Sequence, residues 1–194
     1  MSIRKLLGAV GLVVVVALAT AVWNLSRERP ALPLRMPVAG LAPSQVHSSF
    51  GAPRSGGRRR HHGVDLFAPR GAPVRAATSG VVLFAGRNEL GGRIVYMLGE
   101  GLLTYFAHLD DWAPGLHAGQ RVRRGTLLGY VGDSGNARGT PCHLHFAAHP
   151  IWKWGRPVDP APLLVVGAGR TRAVNHLPGK SAGCSMESSR VTPP

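Results

Sequence analysis

A chain of 194 residues can bury one substantial core, enough for a single domain with appendages. Its 23 Lys and Arg outnumber 9 Asp and Glu to give a formal net charge of +14, which implies anionic surroundings: an acidic polymer, an anionic membrane face or nucleic acid. Two cysteines exclude a disulfide framework and fit no thiolate zinc site, while 26 Gly and 16 Pro point to a turn-rich, mostly β protein.

Leu6 to Val22 is an unbroken apolar and small-residue run behind Arg4 and Lys5. A spanning helix needs roughly 17–25 residues, so the run suits a short membrane anchor. It equally has the layout of a secretory signal, with Ala19-Thr20-Ala21 as a small-residue cleavage site. Either way the remainder is expected outside the cytoplasm, anchored to the inner membrane or secreted to the periplasm. We assign residues 1–25 to this segment and 26–44, rich in Pro, Leu and Arg without a sustained period, to a linker.

From about Gln45 short β-like runs follow one another between glycine turns. They are Val74–Thr78, Gly80–Ala85, Arg93–Leu98, Leu102–Ala107, Val122 with Leu127–Val131, and Cys142–Ala147. Strands at this spacing, with no long helical period between them, predict an all-β sandwich or barrel over residues 45–164. An internal echo is visible: Gly71-Ala72-Pro73-Val74 then Gly80-Val81-Val82, and Gly119-Gln120-Arg121-Val122 then Gly125-Thr126-Leu127-Leu128. Similar hairpins occur in biotinyl and lipoyl carriers, but those need a lysine at a hairpin tip. Lys5, Lys153 and Lys180 are the only lysines here, and none lies in such a turn. Residues 165–194 are too poor in large apolar side chains to offset their chain entropy and read as a flexible basic tail.

Three stretches carry chemistry. His61 stands four residues before Asp65, with Gly63 between them to let the backbone fold tightly, and imidazole with carboxylate suits zinc. The competing reading is a turn capped by Asp65 with solvated histidines. In Thr104-Tyr105-Phe106-Ala107-His108, strand alternation puts Thr104, Phe106 and His108 on one face, with His108 ending the strand at the sheet rim. In Cys142-His143-Leu144-His145-Phe146, alternation puts His143 and His145 on one face and Cys142, Leu144 and Phe146 toward a core. Cys142 therefore reads as a small hydrophobe. Taken alone, His143 and His145 are as well explained by a half-buried strand with two surface imidazoles.

Taken together, in this order, the three stretches resemble the zinc-dependent peptidoglycan endopeptidases of the M23 family, which are lysostaphin-like. The resemblance runs from Ser48-Ser49-Phe50-Gly51 to Val158-Asp159-Pro160 and takes in Gly119-Gln120-Arg121-Val122 and the lead-in Gly135-Asn136-Ala137-Arg138-Gly139-Thr140. It implies a compact antiparallel β-sheet fold with a duplicated β motif and the site in a groove. It also implies that His61, Asp65 and His145 bind Zn2+, while His108 and His143 work on water and substrate. Three protein ligands and one open position are what a catalytic zinc site needs. No His-Glu-x-x-His helix is present, which excludes a glutamate base of the thermolysin kind. Where the family usually has proline before the first histidine of the pair, this chain has Cys142, and it lacks the acidic residue often found after Phe146. His62 competes with His61, and the ligand spacing selects His61.

The expected function is therefore hydrolysis of peptide crosslinks in bacterial peptidoglycan at the outer face of the inner membrane. The alternative is a non-catalytic wall-binding or enzyme-activating module on the same fold, with regulatory protein partners unnamed. Nucleic-acid binding rests on charge alone, without a recognition motif, and the export segment argues against it.

Overall fold

Runs of β-branched, aromatic and leucine side chains between glycine turns form strands throughout the computed structural model, which describes residues 10–17, 20, 33–153 and 155–165. The early strands are β1 (Leu34–Arg35), β2 (Pro53–Arg54), β3 (Arg59–Arg60), β4 (Val64–Phe67) and β5 (Pro73–Arg75). The long ones are β6 (Gly80–Asn88), β7 (Gly92–Gly99) and β8 (Leu102–Trp112). The last four are β9 (Arg121–Val122), β10 (Leu127–Val131), β11 (His143–Pro150) and β12 (Leu164–Val165). Apart from residues 10–17 and 20, the only helical pieces among the described residues are single 3-10 turns.

One antiparallel sheet runs in the order β4-β11-β8-β7-β6-β9, and β10 joins it by pairing with β5 and with the far half of β8. β8 thus serves two neighbourhoods. Its first half lies between β7 and β11, and its end from Leu109 to Trp112 pairs with β10. The all-β expectation holds, and β6, β7, β8, β10 and β11 fall on the runs read from the sequence.

The internal echo turns out to be a pairing rule. β5 leads into β6 and β9 leads into β10, yet each pairs across the two copies: Gly80 and Val81 of β6 with Val122 and Arg121 of β9, and Val74 of β5 with Gly129 of β10. Cross-links between the copies continue beyond the strands, as Ala76 N–H donates to the Thr126 carbonyl and Gly125 N–H to the Ala76 carbonyl.

The core fills the side of the sheet opposite the histidines. Phe106 and Phe146, opposite one another on β8 and β11, are fully buried with ring centroids 5.2 Å apart, and Leu66, Leu144, Val95, Met97 and Leu128 surround them. Part of the expected linker belongs to this core. Leu34, Met36 and Val38 are buried, β1 pairs in parallel with β12, and Val38 bridges Val74. Their alternation is a strand's period of two, too short and too interrupted by proline to stand out in the sequence.

Among the described residues no helix is long and apolar enough to cross a membrane. Much of the Leu6–Val22 reading and residues 166–194 of the tail reading lie outside the described residues. Cys142 is buried as expected but is disulfide-bonded, so its reading as a plain hydrophobe is corrected.

The Phe106–Phe146 contact holds β8 against β11. Phe146→Ala is expected to cost about 3–5 kcal/mol, measured as a lowered denaturant midpoint with little change in slope.

Candidate metal centre and groove

β11 lies between β4 and β8, and its register sets the site. His145 stands directly opposite Asp65 on β4 and opposite Ala107 on β8, and His143 stands opposite Phe67. Residues opposite each other in a ladder share a face, so Asp65, His143, His145 and Tyr105 all point away from the phenylalanine core. His61 arrives from the β2–β3 hairpin, which is prolonged by hydrogen bonds from His61 N–H to the Ala52 carbonyl and from Gly51 N–H to the His61 carbonyl.

Three donor atoms converge there. His61 Nε2 lies 2.9 Å from His145 Nδ1, and Asp65 Oδ1 lies 3.1 Å from each of them. Donors that share one zinc at about 2.0–2.1 Å stand about 3.3 Å apart in a tetrahedron. The chemistry of the set, two imidazoles and one carboxylate, also suits that ion. Among the described residues this is the one group of His, Cys, Asp or Glu side chains close enough to hold a metal. His62, next to His61, is exposed and stays outside it.

Three of the imidazoles are aimed by a partner on the other nitrogen. His61 Nδ1 lies 3.1 Å from the Ser49 carbonyl oxygen and 2.9 Å from Ser49 Oγ. A carbonyl can only accept, so Nδ1 carries the hydrogen and Nε2 presents its lone pair to the donor set. His108 Nδ1 likewise donates to the Ser134 carbonyl, and His143 Nδ1 to the Pro141 carbonyl, each at 2.8 Å. Both therefore present Nε2, and their rings meet edge-on with centroids 5.0 Å apart. Burial pushes the His108 imidazole down to about 4, outweighing the hydrogen bond to Ser134, so it is neutral at pH 7 and can accept a proton at Nε2.

Asp65 behaves differently. Burial pushes its carboxyl up, but the close His145 and His61 side chains outweigh this and hold it well below the usual carboxylate range. Its second oxygen, Oδ2, accepts from Arg54 Nη2 at 2.6 Å. Burial lowers the His145 pKa, against the pull of Asp65, which favours the neutral imidazole a metal requires.

Two details correct the sequence reading. His108 neither ends its strand nor shares a face with Thr104 and Phe106, which are buried in the core; β8 continues to Trp112. His108 has φ +63°, and the register with β7 shifts across it, between Phe106 and Leu109, with a second shift against β10 just beyond, between Leu109 and Asp111. This bulge breaks the alternation and turns the imidazole into the groove. Gly63, in turn, is required by close approach rather than by a tight turn. A Cβ there would meet the Phe146 carbonyl oxygen and would lie 2.9 Å from His145 Cε1.

Ser49, Ser134, Pro141 and Arg54, which aim the site residues, were assigned no role from the sequence. Three of them act through backbone carbonyls, which side-chain identity does not report. Gly92 belongs with them: at φ +65° it packs against Ser134 and Gly135, where a Cβ would collide with both.

The five side chains line a cleft of about 460 Å³ together with Arg54, Arg59, Arg60, Tyr105 and Leu90. Beyond Tyr105 the cleft continues over Tyr96, which stacks on Tyr105 with ring centroids 4.6 Å apart. Such a groove admits an extended chain from the side, and its floor offers a metal-binding triangle beside two proton-accepting nitrogens.

This is a candidate metal centre built on an antiparallel sheet. The model of Peptidase family M23 matches residues 59–160, more than half of the chain, and the chain belongs to that family. It is 41% identical over 109 residues to the L-Ala--D-Glu endopeptidase of Bacillus subtilis, covering 53% of this chain and 33% of that protein. It is 30% identical over 132 residues to the peptidoglycan DD-endopeptidase ShyC of Vibrio cholerae, covering 68% of this chain and 29% of that one. Among solved structures, a zinc-containing peptidase from Vibrio cholerae superposes with a TM-score of 0.55 at 28% identity, over 70% of this chain and 40% of that chain. The chain thus spans about a third or less of the curated relatives it matches.

Gly63→Ala is expected to push the His145 imidazole off the donor triangle and weaken zinc binding by about 10–100-fold, the usual cost of disturbing a ligand's support. Competition against a chromophoric chelator measures it, with an unchanged far-UV spectrum reporting an intact sheet.

Proposed function

We propose that the protein is a zinc-dependent endopeptidase that hydrolyses peptide crosslinks of bacterial peptidoglycan. The observation that carries this reading is the triangle of His61 Nε2, Asp65 Oδ1 and His145 Nδ1 beside the Nε2 atoms of His108 and His143. Family membership and relatives that are wall endopeptidases support the substrate class.

In this reading His61, Asp65 and His145 hold the zinc, with their tautomers and charge set by Ser49 and Arg54. When bound, the ion polarises the scissile carbonyl and makes water a competent nucleophile near neutral pH. His108 and His143 act at Nε2. One accepts the proton of the attacking water, and one hydrogen-bonds the developing oxyanion or passes a proton to the leaving amine. Their Nδ1–H groups are committed to carbonyls, so neither ring can turn away without losing a hydrogen bond. The groove over Tyr105 and Tyr96 takes an extended stem peptide. The apolar Leu6–Val22 run is assigned to export, placing the domain outside the cytoplasm on a membrane anchor or released from it; residues 165–194 are assigned to a basic tail.

Purified chain incubated with crosslinked muropeptides is expected to release uncrosslinked products, and a chelator should abolish the release. His145→Ala should lose both zinc and activity. His143→Ala should keep about one zinc per chain yet lose activity about 10²–10⁴-fold, the range for removing a general acid or base. A chain that cannot be loaded with zinc and releases no products would instead support the wall-binding module, and cleavage that resists chelation would overturn the zinc-dependent reading.

A further inference from the structure

One wall of the cleft is unusually cationic. Four of the seven residues from Arg54 to Arg60 are arginines, and they are carried on the β2–β3 hairpin beside the donor triangle. Arg54 is committed to Asp65, and Arg58 does not line the cleft. Arg59 and Arg60 do line it, and both are exposed.

Their own partners are neutral. Arg59 donates from Nε and Nη2 to Ser55 Oγ at 3.3 and 3.0 Å, and Arg60 donates from Nη1 to the Gly51 carbonyl at 3.1 Å. Among the described residues neither forms an ion pair. The one carboxylate lining the cleft is Asp65, already held by Arg54 and two imidazoles. The guanidinium groups of two consecutive residues therefore border the cleft without an ion-pair partner among the described residues, and an entering anion would meet positive charge there. Guanidinium is the group best matched to a carboxylate, through paired N–H donors.

The hairpin also preorganises one of them. Its tip runs through left-handed backbone at Ser55, Gly56 and Gly57, with φ of 52°, 67° and 87°. The Ser55 hydroxyl that accepts from Arg59 is part of that tip, so the side chain is held before a ligand arrives, which lowers the ordering cost of binding. The wall formed by Leu90 and Tyr105 brings apolar surface to the same cleft, giving the groove two chemically distinct sides.

We propose that Arg59 and Arg60 form a carboxylate subsite that reads a free carboxylate of the substrate's stem peptide close to the bond being cut, and that they are specificity-determining residues. The subsite rests on the wall-peptidase reading for the identity of the peptide. It does not rest on catalysis.

The test is calorimetric titration of the purified chain, at low salt, with two synthetic stem tetrapeptides. They differ only in whether the side carboxyl groups are free or converted to carboxamides. The parent is expected to bind the free-acid peptide about ten-fold or more tightly, as hydrogen bonds between charged groups imply, and added salt should shrink the preference. The double variant Arg59→Gln/Arg60→Gln should lose the preference while binding the amidated peptide within about two-fold of the parent, and Arg58→Gln should keep it. Unchanged thermal melting identifies variants that fold, and each single substitution, expected to lose part of the preference, stands in if the double one does not. Equal binding of both peptides by the parent, no binding of either, or a preference that survives in the folded arginine variants would overturn the subsite. A parent that binds with the expected preference but leaves crosslinked peptides uncut would overturn the peptidase reading and leave the subsite standing.

Discussion

Everything at the site depends on the register of β11 between β4 and β8. With His145 opposite Asp65 on one side and Ala107 on the other, the same strand sends Leu144 and Phe146 into the core and His143 and His145 into the groove. A slip of one residue would exchange these faces, burying two imidazoles and exposing two large apolar side chains. The hydrophobic energy of the core therefore protects the metal geometry. Gly63 shows how tight the fit is, because β11 and the approach to β4 come together with no room for a methyl group.

A second constraint lies in the backbone carbonyls. Ser49, Ser134 and Pro141 each accept from the Nδ1–H of one histidine, so three imidazoles have their tautomers set by groups that cannot ionise or rotate away. That leaves the Nε2 lone pair of His61 toward the donor triangle and those of His108 and His143 toward the cleft. What separates them is position: only His61 Nε2 lies within 3.1 Å of the Asp65 and His145 donor atoms. Asp65 is the exception, oriented by the charged partner Arg54 instead of a neutral one. The hairpin that supplies Arg54 also carries Arg59 and Arg60, so the partner of Asp65 and the cationic wall of the cleft share one element.

Much of this is legible in the sequence. Alternation along Cys142–Phe146 separated the groove face from the core face, and the glycine-bounded runs marked the long strands. The echo between residues 71–82 and 119–128 was visible as a similarity, though only pairing revealed that the copies complete each other's ladders. His108 was misplaced because alternation assumes a regular strand, and a bulge at a positive-φ residue is a local departure that side-chain pattern does not encode. The stretch from Leu34 to Val38 was misread as a linker because a two-residue strand carries too little pattern to register.

By itself the sequence determined the fold class and most of the long strands, because period-two patterning is a local property, and it singled out His61, Asp65, His108, His143 and His145 through their residue types and the family resemblance those motifs carry. The tertiary structure alone decided that 84 positions of chain bring His61 to 2.9 Å from His145, which nitrogen each ring presents, and that Arg54, Arg59 and Arg60 border the cleft. Those outcomes depend on ladder register and on carbonyls from distant loops. Such contacts between residues far apart in the chain form only when the sheet closes.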